Sequence, residues 1–347
     1  MRSVAVSVVV ATHNGERYLD EQLESFVRQR RPPDEVVVGD DGSTDGTLAI
    51  LDRFRRSAPF PVTVLRHERT GLAANFLRTM DVSHGDVIAF SDQDDVWDPR
   101  KIDVLLHAVD TYGADMVIHG RRTVDHDLKP MRSGHQTVRR PEVEDRLRGN
   151  VWWPAAGNAM LFRRSLFAGC DWMARPASQW SDAPMNHDDL ARLLVAVRGR
   201  LVRIPDRLLL YRQHADNVAG AMITVTAAMR RRSDHRSTVR HQLAAADAWA
   251  EFFPPLVPAE HRDETERYFL DARRRAGERA GRLEAPGVAP FLGLMAGAAR
   301  GHYWRRRPDG FGGKAFLQDA YFLTTGRGSP AGGAGPVGEA GPVATDR

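Results

Sequence analysis

Hydrophobic positions along the first third of the chain alternate between two periods. Short β-branched runs at 4–10, 35–39, 62–66, 86–91 and 115–119 are bounded by Pro, Gly, Asp or Asn, the pattern of buried strands. Between them the apolar positions follow a helical repeat. Leu19, Leu23, Phe26 and Val27 fall at i, i+4, i+7 and i+8, one helix face, with Asn14 placed to cap the helix and Pro32-Pro33 to end it. Further helices are predicted over 44–56, 72–82 and 99–111, the last with Pro99 in its first turn. This alternation predicts an α/β architecture, a doubly wound, mostly parallel sheet flanked by helices. From 123 to 183 the pattern loosens, before a helix expected at 188–197 and strand-like runs at 201–204 and 208–211. Ala, Arg and Glu then dominate. The division expected is an α/β domain over 1–220, a helical C-terminal extension over 221–325, and a Gly/Ala/Pro tail over 326–347 with too little to bury to be ordered.

Composition narrows the class without deciding it. The 347 residues are 42% hydrophobic and 27% charged, ordinary for a soluble globular protein. A single cysteine, Cys170, excludes an internal disulfide and fits a reducing compartment. No apolar stretch approaches the roughly 18 residues that span a bilayer, and the 4–10 run makes a poor signal peptide. A cytoplasmic protein is expected. The net charge of +4 is small, but Arg230–Arg232, Arg273–Arg275 and Arg305–Arg307 all fall in the last third. They read either as solvated helix faces or as a peripheral contact with anionic lipid at the inner face of the plasma membrane. No nucleic-acid-binding motif is present, so nucleic acid is not an expected partner.

Chemistry concentrates in acidic runs at the ends of predicted strands, where an open parallel sheet forms its ligand crevice. Asp40 and Asp41 close the second strand, followed by Ser43 and Thr44, either of which could cap the next helix. A calcium-loop spacing is imitated only loosely, and such a loop follows a helix rather than a strand. The run from Phe90 to Trp97 packs Asp92, Asp94 and Asp95 together with no basic residue before Arg100. Carboxylates so crowded repel one another, and a hard divalent cation, Mg²⁺ or Mn²⁺, would relieve them and hold a diphosphate. His187-Asp188-Asp189 opens a helical pattern, so either aspartate can cap the helix while the other serves as a general base. Arg212 and His214 follow the last strand-like run, where they could meet phosphate oxygens or the metal. Trp152, Trp153, Gly157 and Asn158 are assigned to the acceptor side, with core packing the alternative for the tryptophans.

Together these motifs resemble the inverting, GT-A-fold glycosyltransferases of family 2. The runs Ser7–Asn14, Val38–Asp45 and Ser91–Asp95 stand in that family's order and spacing, and the likeness extends over about 4–220. Phe90–Trp97 and Leu210–His214 with Asn217 are similar to its rhamnosyltransferase branch. The resemblance implies that Asp41 contacts the nucleobase and that Ala11, Thr12, Asn14, Asn75 and Asp92 line the nucleotide pocket. It implies Asp94 as the direct metal ligand, Asp188 as the base with Asp189 the alternative, and His214 and Arg212 assisting the metal or diphosphate. The donor it implies is a nucleotide sugar, dTDP-L-rhamnose first and a UDP- or GDP-sugar otherwise; the acceptor is a saccharide or lipid-linked hydroxyl. Two departures stand out: Asp189-Leu190 where the branch carries bulky aromatics, and His13 in place of an aromatic. A sugar-1-phosphate nucleotidyltransferase would share the sheet but needs a Gly-rich basic loop after the first strand, which Thr12-His13-Asn14-Gly15 is not. An inactive binding scaffold is the other rival.

Overall fold

The computed structural model describes residues 4–131, 138–214, 235–284 and 289–300, with isolated positions at 303, 316–317, 319–320 and 323. Strands β1 (Val6–Thr12), β2 (Glu35–Asp40), β3 (Val62–Arg66) and β4 (Val87–Ser91) alternate with helices α1 (Leu19–Val27), α2 (Thr47–Ser57) and α3 (Leu72–Asp81). After β4 come β5 (Val96–Trp97), α4 (Lys101–Tyr112), β6 (Met116–Val124), β7 (Glu142–Glu144), β8 (Met160–Arg163), α5 (His187–Arg198) and β9 (Leu201–Arg212). Helices α6 (His235–Phe252), α7 (Arg262–Glu284) and α8 (Ala289–Ala299) close the described chain.

The strands form one sheet in the order β3-β2-β1-β4-β8-β6-β9-β5, with β7 on β9. Strands β3, β2, β1 and β4 are parallel, as expected. Beyond β4 the sheet is mixed rather than mostly parallel. Strand β8 inserts antiparallel between β4 and β6, and β5 and β7 are antiparallel to β9, while β6 and β9 are parallel. The insertion comes from the 123–183 segment, where β8 is too short to show a period in the sequence. The two runs at 201–204 and 208–211 are one strand, which follows β6 through register shifts near Gly120.

Why the parallel half forms is plain from β1: all seven of its residues are buried, so an unbroken apolar run suits it to a sheet covered on both faces. One face is covered by α1, α2 and α4 through Leu23, Leu51 and Leu105. The other is covered by α3 and α5, and α6 and α7 belong to that same core, with Trp249, Phe253 and Phe269 clustered with Phe76, Phe90 and Leu190. Burying each such aromatic contributes about 2–3 kcal/mol. Helices α6 and α7 thus share a core with α3 and α5, whereas Leu294 of α8 packs in a separate small cluster with Tyr303.

Several local expectations change. Asn14 does not cap α1, whose N-cap is Tyr18; it takes a positive φ of 49° and accepts the Thr44 amide at 2.8 Å. Neither Ser43 nor Thr44 caps α2, whose N-cap is Gly46, and α4 begins at Lys101, two residues past Pro99. Arg230–Arg232, Arg305–Arg307, Asn217 and the 326–347 tail lie outside the described residues. Among the described residues no helix is long and apolar enough to cross a membrane.

Candidate active site

Registers bring three strand ends to one edge: Thr12 pairs with Asp40, and Val10 with Ser91. At the β2 end, Thr12 donates to Asp40 at 3.1 Å, and Asp40 accepts the Ser43 amide at 3.0 Å. Asp41 accepts the Thr70 amide, the Thr70 hydroxyl and the Gly71 amide at 2.6, 2.9 and 2.8 Å. Burial pushes its carboxyl upward, but these hydrogen bonds outweigh it and hold the group below the usual aspartate range. The β1 loop is clamped to the acidic run, since Gln93 accepts the His13 amide at 2.9 Å and donates to its carbonyl at 3.1 Å.

Of the residues expected to line a nucleotide pocket, Asn14 is exposed, whereas Ala11, Thr12 and Asn75 are buried in the fold. Asn75 donates to the Gly39 carbonyl at 2.8 Å, pinning α3 to β2. A side chain at position 39 would lie 2.1 Å from the Asn75 oxygen, which is why a glycine stands just before the strand's last residue. The Asn75 side-chain amide thus has a structural partner in the fold.

At the β4 end, one carboxylate oxygen each from Asp92, Asp94 and Asp95 lies within 4.8 Å of the others. Asp95 is wholly buried and accepts Asn158 Nδ2 at 2.7 Å and the Arg212 amide at 3.3 Å. Asp92 accepts the same Nδ2 at 2.9 Å, and Asp94 meets His214 Nε2 at 2.8 Å. Below them Lys101 is fully buried, with Nζ 3.7 Å over the Trp97 ring and donating to the Asn158 carbonyl at 2.7 Å. Burial, then the charges of Asp94 and Asp188, raise Asp92 to about 7; burial, then Asp94 and Asp92, raise Asp95 well above its ordinary value. Burial likewise lowers Lys101 to about 7. Crowded oxygens at the mouth, under-compensated by Lys101 and Arg121, fit a hard divalent ion such as Mg²⁺ or Mn²⁺. Asp92 and Asp94 are the half-buried pair facing the opening, with Asp95 beneath.

Arg212 does not turn to that opening. It is 2% exposed, donates to the carbonyls of Asp94 and His126 at 2.9 and 2.6 Å, pairs with Glu21 and lies 4.5 Å over the Tyr18 ring. These contacts make it a clamp between the acidic run and β9.

The third acidic pair separates into two roles. Asp188 is half-buried, accepts the Asp189 amide at 2.8 Å and is also held by the Gly157 amide, and its charge acts on Asp92. Asp189 is buried and turns inward, 3.9 Å from Arg192; burial and then Asp188 raise it to about 7. His187 stacks on Phe76 at 4.0 Å and meets Phe90 edge-on, so burial lowers it to about 3 and keeps it neutral. Trp152 packs in the core, 5% exposed with its ring 5.5 Å from Trp249. Trp153 is half-buried under Arg203, 4.5 Å from its ring. Gly157 and Asn158 sit between the acids and Asp188. Lys101, Gln93 and Arg121 were not singled out by sequence; only the position of Lys101, four residues after Trp97, offered a hint.

Residues 7–169 match the family model described as glycosyl transferase family 2. An uncharacterized glycosyltransferase of Nostoc sp. is 26% identical over 167 residues, 46% of this chain and 51% of the relative. The dTDP-rhamnosyl transferase RfbG of Shigella flexneri is 39% identical over 98 residues, 27% of this chain and 34% of that protein. The chain spans about half the length or less of these two relatives. The crystal structure of Staphylococcus aureus TarS 1–349 superposes with a TM-score of 0.55 at 16% identity, covering 94% of this chain and 93% of that one, a likeness of fold. The sheet with its flanking helices has the GT-A architecture, and the matched residues 7–169 carry the acidic ends of β2 and β4.

Proposed function

We propose that the chain transfers a sugar from a nucleoside-diphosphate donor to an acceptor hydroxyl with inversion at the anomeric carbon, within cell-surface polysaccharide or glycolipid synthesis. The observation that carries this reading is the convergence of Asp92, Asp94 and Asp95 within 4.8 Å at one strand end, with Asp188 close enough for its charge to raise Asp92. Asp92 and Asp94 would hold Mg²⁺ or Mn²⁺, which when bound supplies positive charge for a departing diphosphate.

The remaining chemistry belongs to the chain. Asp188 takes the proton from the acceptor hydroxyl as that oxygen bonds to the anomeric carbon and the carbon–diphosphate bond breaks. Burial raises its carboxyl above the usual aspartate value despite the amides that hold it, which makes it a stronger base. Its amide hydrogen bonds fix its direction, and Asp189 turns away into the core. Asp41 and Asn14 flank the nucleoside side. Likeness to RfbG supports dTDP-L-rhamnose as donor, and the abequosyltransferase RfbV of Salmonella typhimurium, 28% identical over 142 residues, supports a sugar-transferring role more broadly.

A thermal-shift screen of nucleoside diphosphates with and without Mn²⁺ tests this. The expected result is a metal-dependent shift that is largest for dTDP. A larger shift with UDP or GDP reassigns the donor, and no metal-dependent shift with any of them overturns the reading.

A further inference from the structure

A primary amide carries two donors on one nitrogen and no charge. Asn158 directs its nitrogen at two different carboxylates, Asp92 at 2.9 Å and Asp95 at 2.7 Å, while its side-chain oxygen accepts Arg121 at 3.3 Å. Its backbone carbonyl accepts Lys101 at 2.7 Å, and the residue is 3% exposed. It lies in the short turn Gly157–Ala159, which leads directly into β8, itself paired with β4 just before the acidic run. The preceding residue reaches the other side of the site. The Gly157 amide holds Asp188, and a side chain on Gly157 would come 2.6 Å from His187 Nε2 and 3.6 Å from Asp188 Cβ.

We propose that Asn158 is a positioning residue that sets the spacing of Asp92 and Asp95 and, through the Gly157 amide beside it, their distance from Asp188. The inference rests on the glycosyl-transfer reading above. A neutral amide suits the position. It orients two adjacent carboxylates without cancelling the charge that would hold a divalent ion, whereas Lys or Arg there would compete with that ion. Lys101 acts one layer further down, orienting the Asn158 backbone from a sealed site.

The test measures Mn²⁺ binding to the whole chain by electron paramagnetic resonance, reading both affinity and the line shape of the bound ion. Asn158→Ala is expected to weaken Mn²⁺ at least tenfold, as loss of an outer-shell partner commonly does, and to alter the line shape. Asp188→Asn, which leaves the turn intact, should keep both within twofold of wild type while losing turnover. Should Asn158→Ala lose its folded circular dichroism, Asn158→Ser replaces it, keeping one hydroxyl donor and weakening Mn²⁺ by about tenfold, the low end for an outer-shell partner. Wild-type affinity and line shape in a folded Asn158 variant overturn the proposal and leave the functional reading standing. Failure of the wild-type chain to bind Mn²⁺ overturns that reading, and this inference with it.

Discussion

Strands β2 and β4 flank β1, and both end in acidic residues at the same edge of the sheet, yet the two ends behave oppositely. At the β2 end Asp41 is satisfied on arrival: three hydrogen bonds from Thr70 and Gly71 converge on its carboxylate and hold it ionised. At the β4 end Asp92 and Asp95 share one amide nitrogen, lie over a buried lysine, and are pushed toward the neutral form by burial and then by the charge of Asp94. The same residue type at equivalent strand ends is thus locked in one place and left under-compensated in the other. A locked carboxylate can shape a loop or recognise a neutral base edge. An under-compensated cluster has a standing electrostatic reason to take up a cation.

The sharpest way to break this contrast is at the third acid. Asp188→Asn keeps the size of the side chain and an acceptor for the Asp189 and Gly157 amides, but removes the basic form. Turnover is expected to fall at least about 10²-fold, the low end for loss of a general base, with nucleotide affinity nearly unchanged. A folded variant with near-normal turnover would end the assignment. A smaller effect is expected at the locked end. Asp41→Asn, measured by urea unfolding, should cost about 1–2 kcal/mol at pH 7, because hydrogen bonds to a charged acceptor are replaced by bonds to a neutral one. The sign with pH is fixed by the depressed folded-state value: this stability is present above the unfolded value near pH 4 and is lost as pH falls through the folded one. The two proteins should therefore converge toward pH 3.

Which parts of this were legible from the sequence follows from how local the signals are. The parallel half of the sheet could be read because β1, β2 and β4 are continuous apolar runs with turn residues at their ends, and buried strands need little else. The acidic ends were legible for the same reason, since three aspartates within four residues are conspicuous wherever they fold. Strand β8 was hidden: four residues cannot show a period of two convincingly, and its antiparallel pairing depends on β4 and β6, far away in sequence. The roles of Lys101, Asn158 and Arg212 were hidden too, because each is defined by partners between 57 and 191 residues distant. A lysine at a helix start reads as solvated until tertiary structure seals it over Trp97. The structural contact of Asn75 was hidden as well, since its partner Gly39 lies 36 residues away in sequence.

The smallest expected effect separates Asp189 from Asp188 without any substrate. Asp189 is buried beside Arg192, yet burial and the adjacent Asp188 dominate and raise it to about 7. Between the unfolded value near 4 and that raised value, the folded chain binds more protons at this site than the unfolded chain does. Its contribution to stability therefore declines as pH rises across that window, the reverse of Asp41. Asparagine does not titrate, so Asp189→Asn should gain stability relative to wild type as pH rises from 5 to 8, read by urea unfolding without added metal. Loss of a charge partner for Arg192 offsets part of the gain, which is why the slope of the difference with pH, and not its value at one pH, is the measurement that decides. A difference that is flat, or that falls with pH, would mean Asp189 is ionised in the folded state by Arg192, and it would then be electrostatically equivalent to Asp41 despite standing on the opposite side of the site.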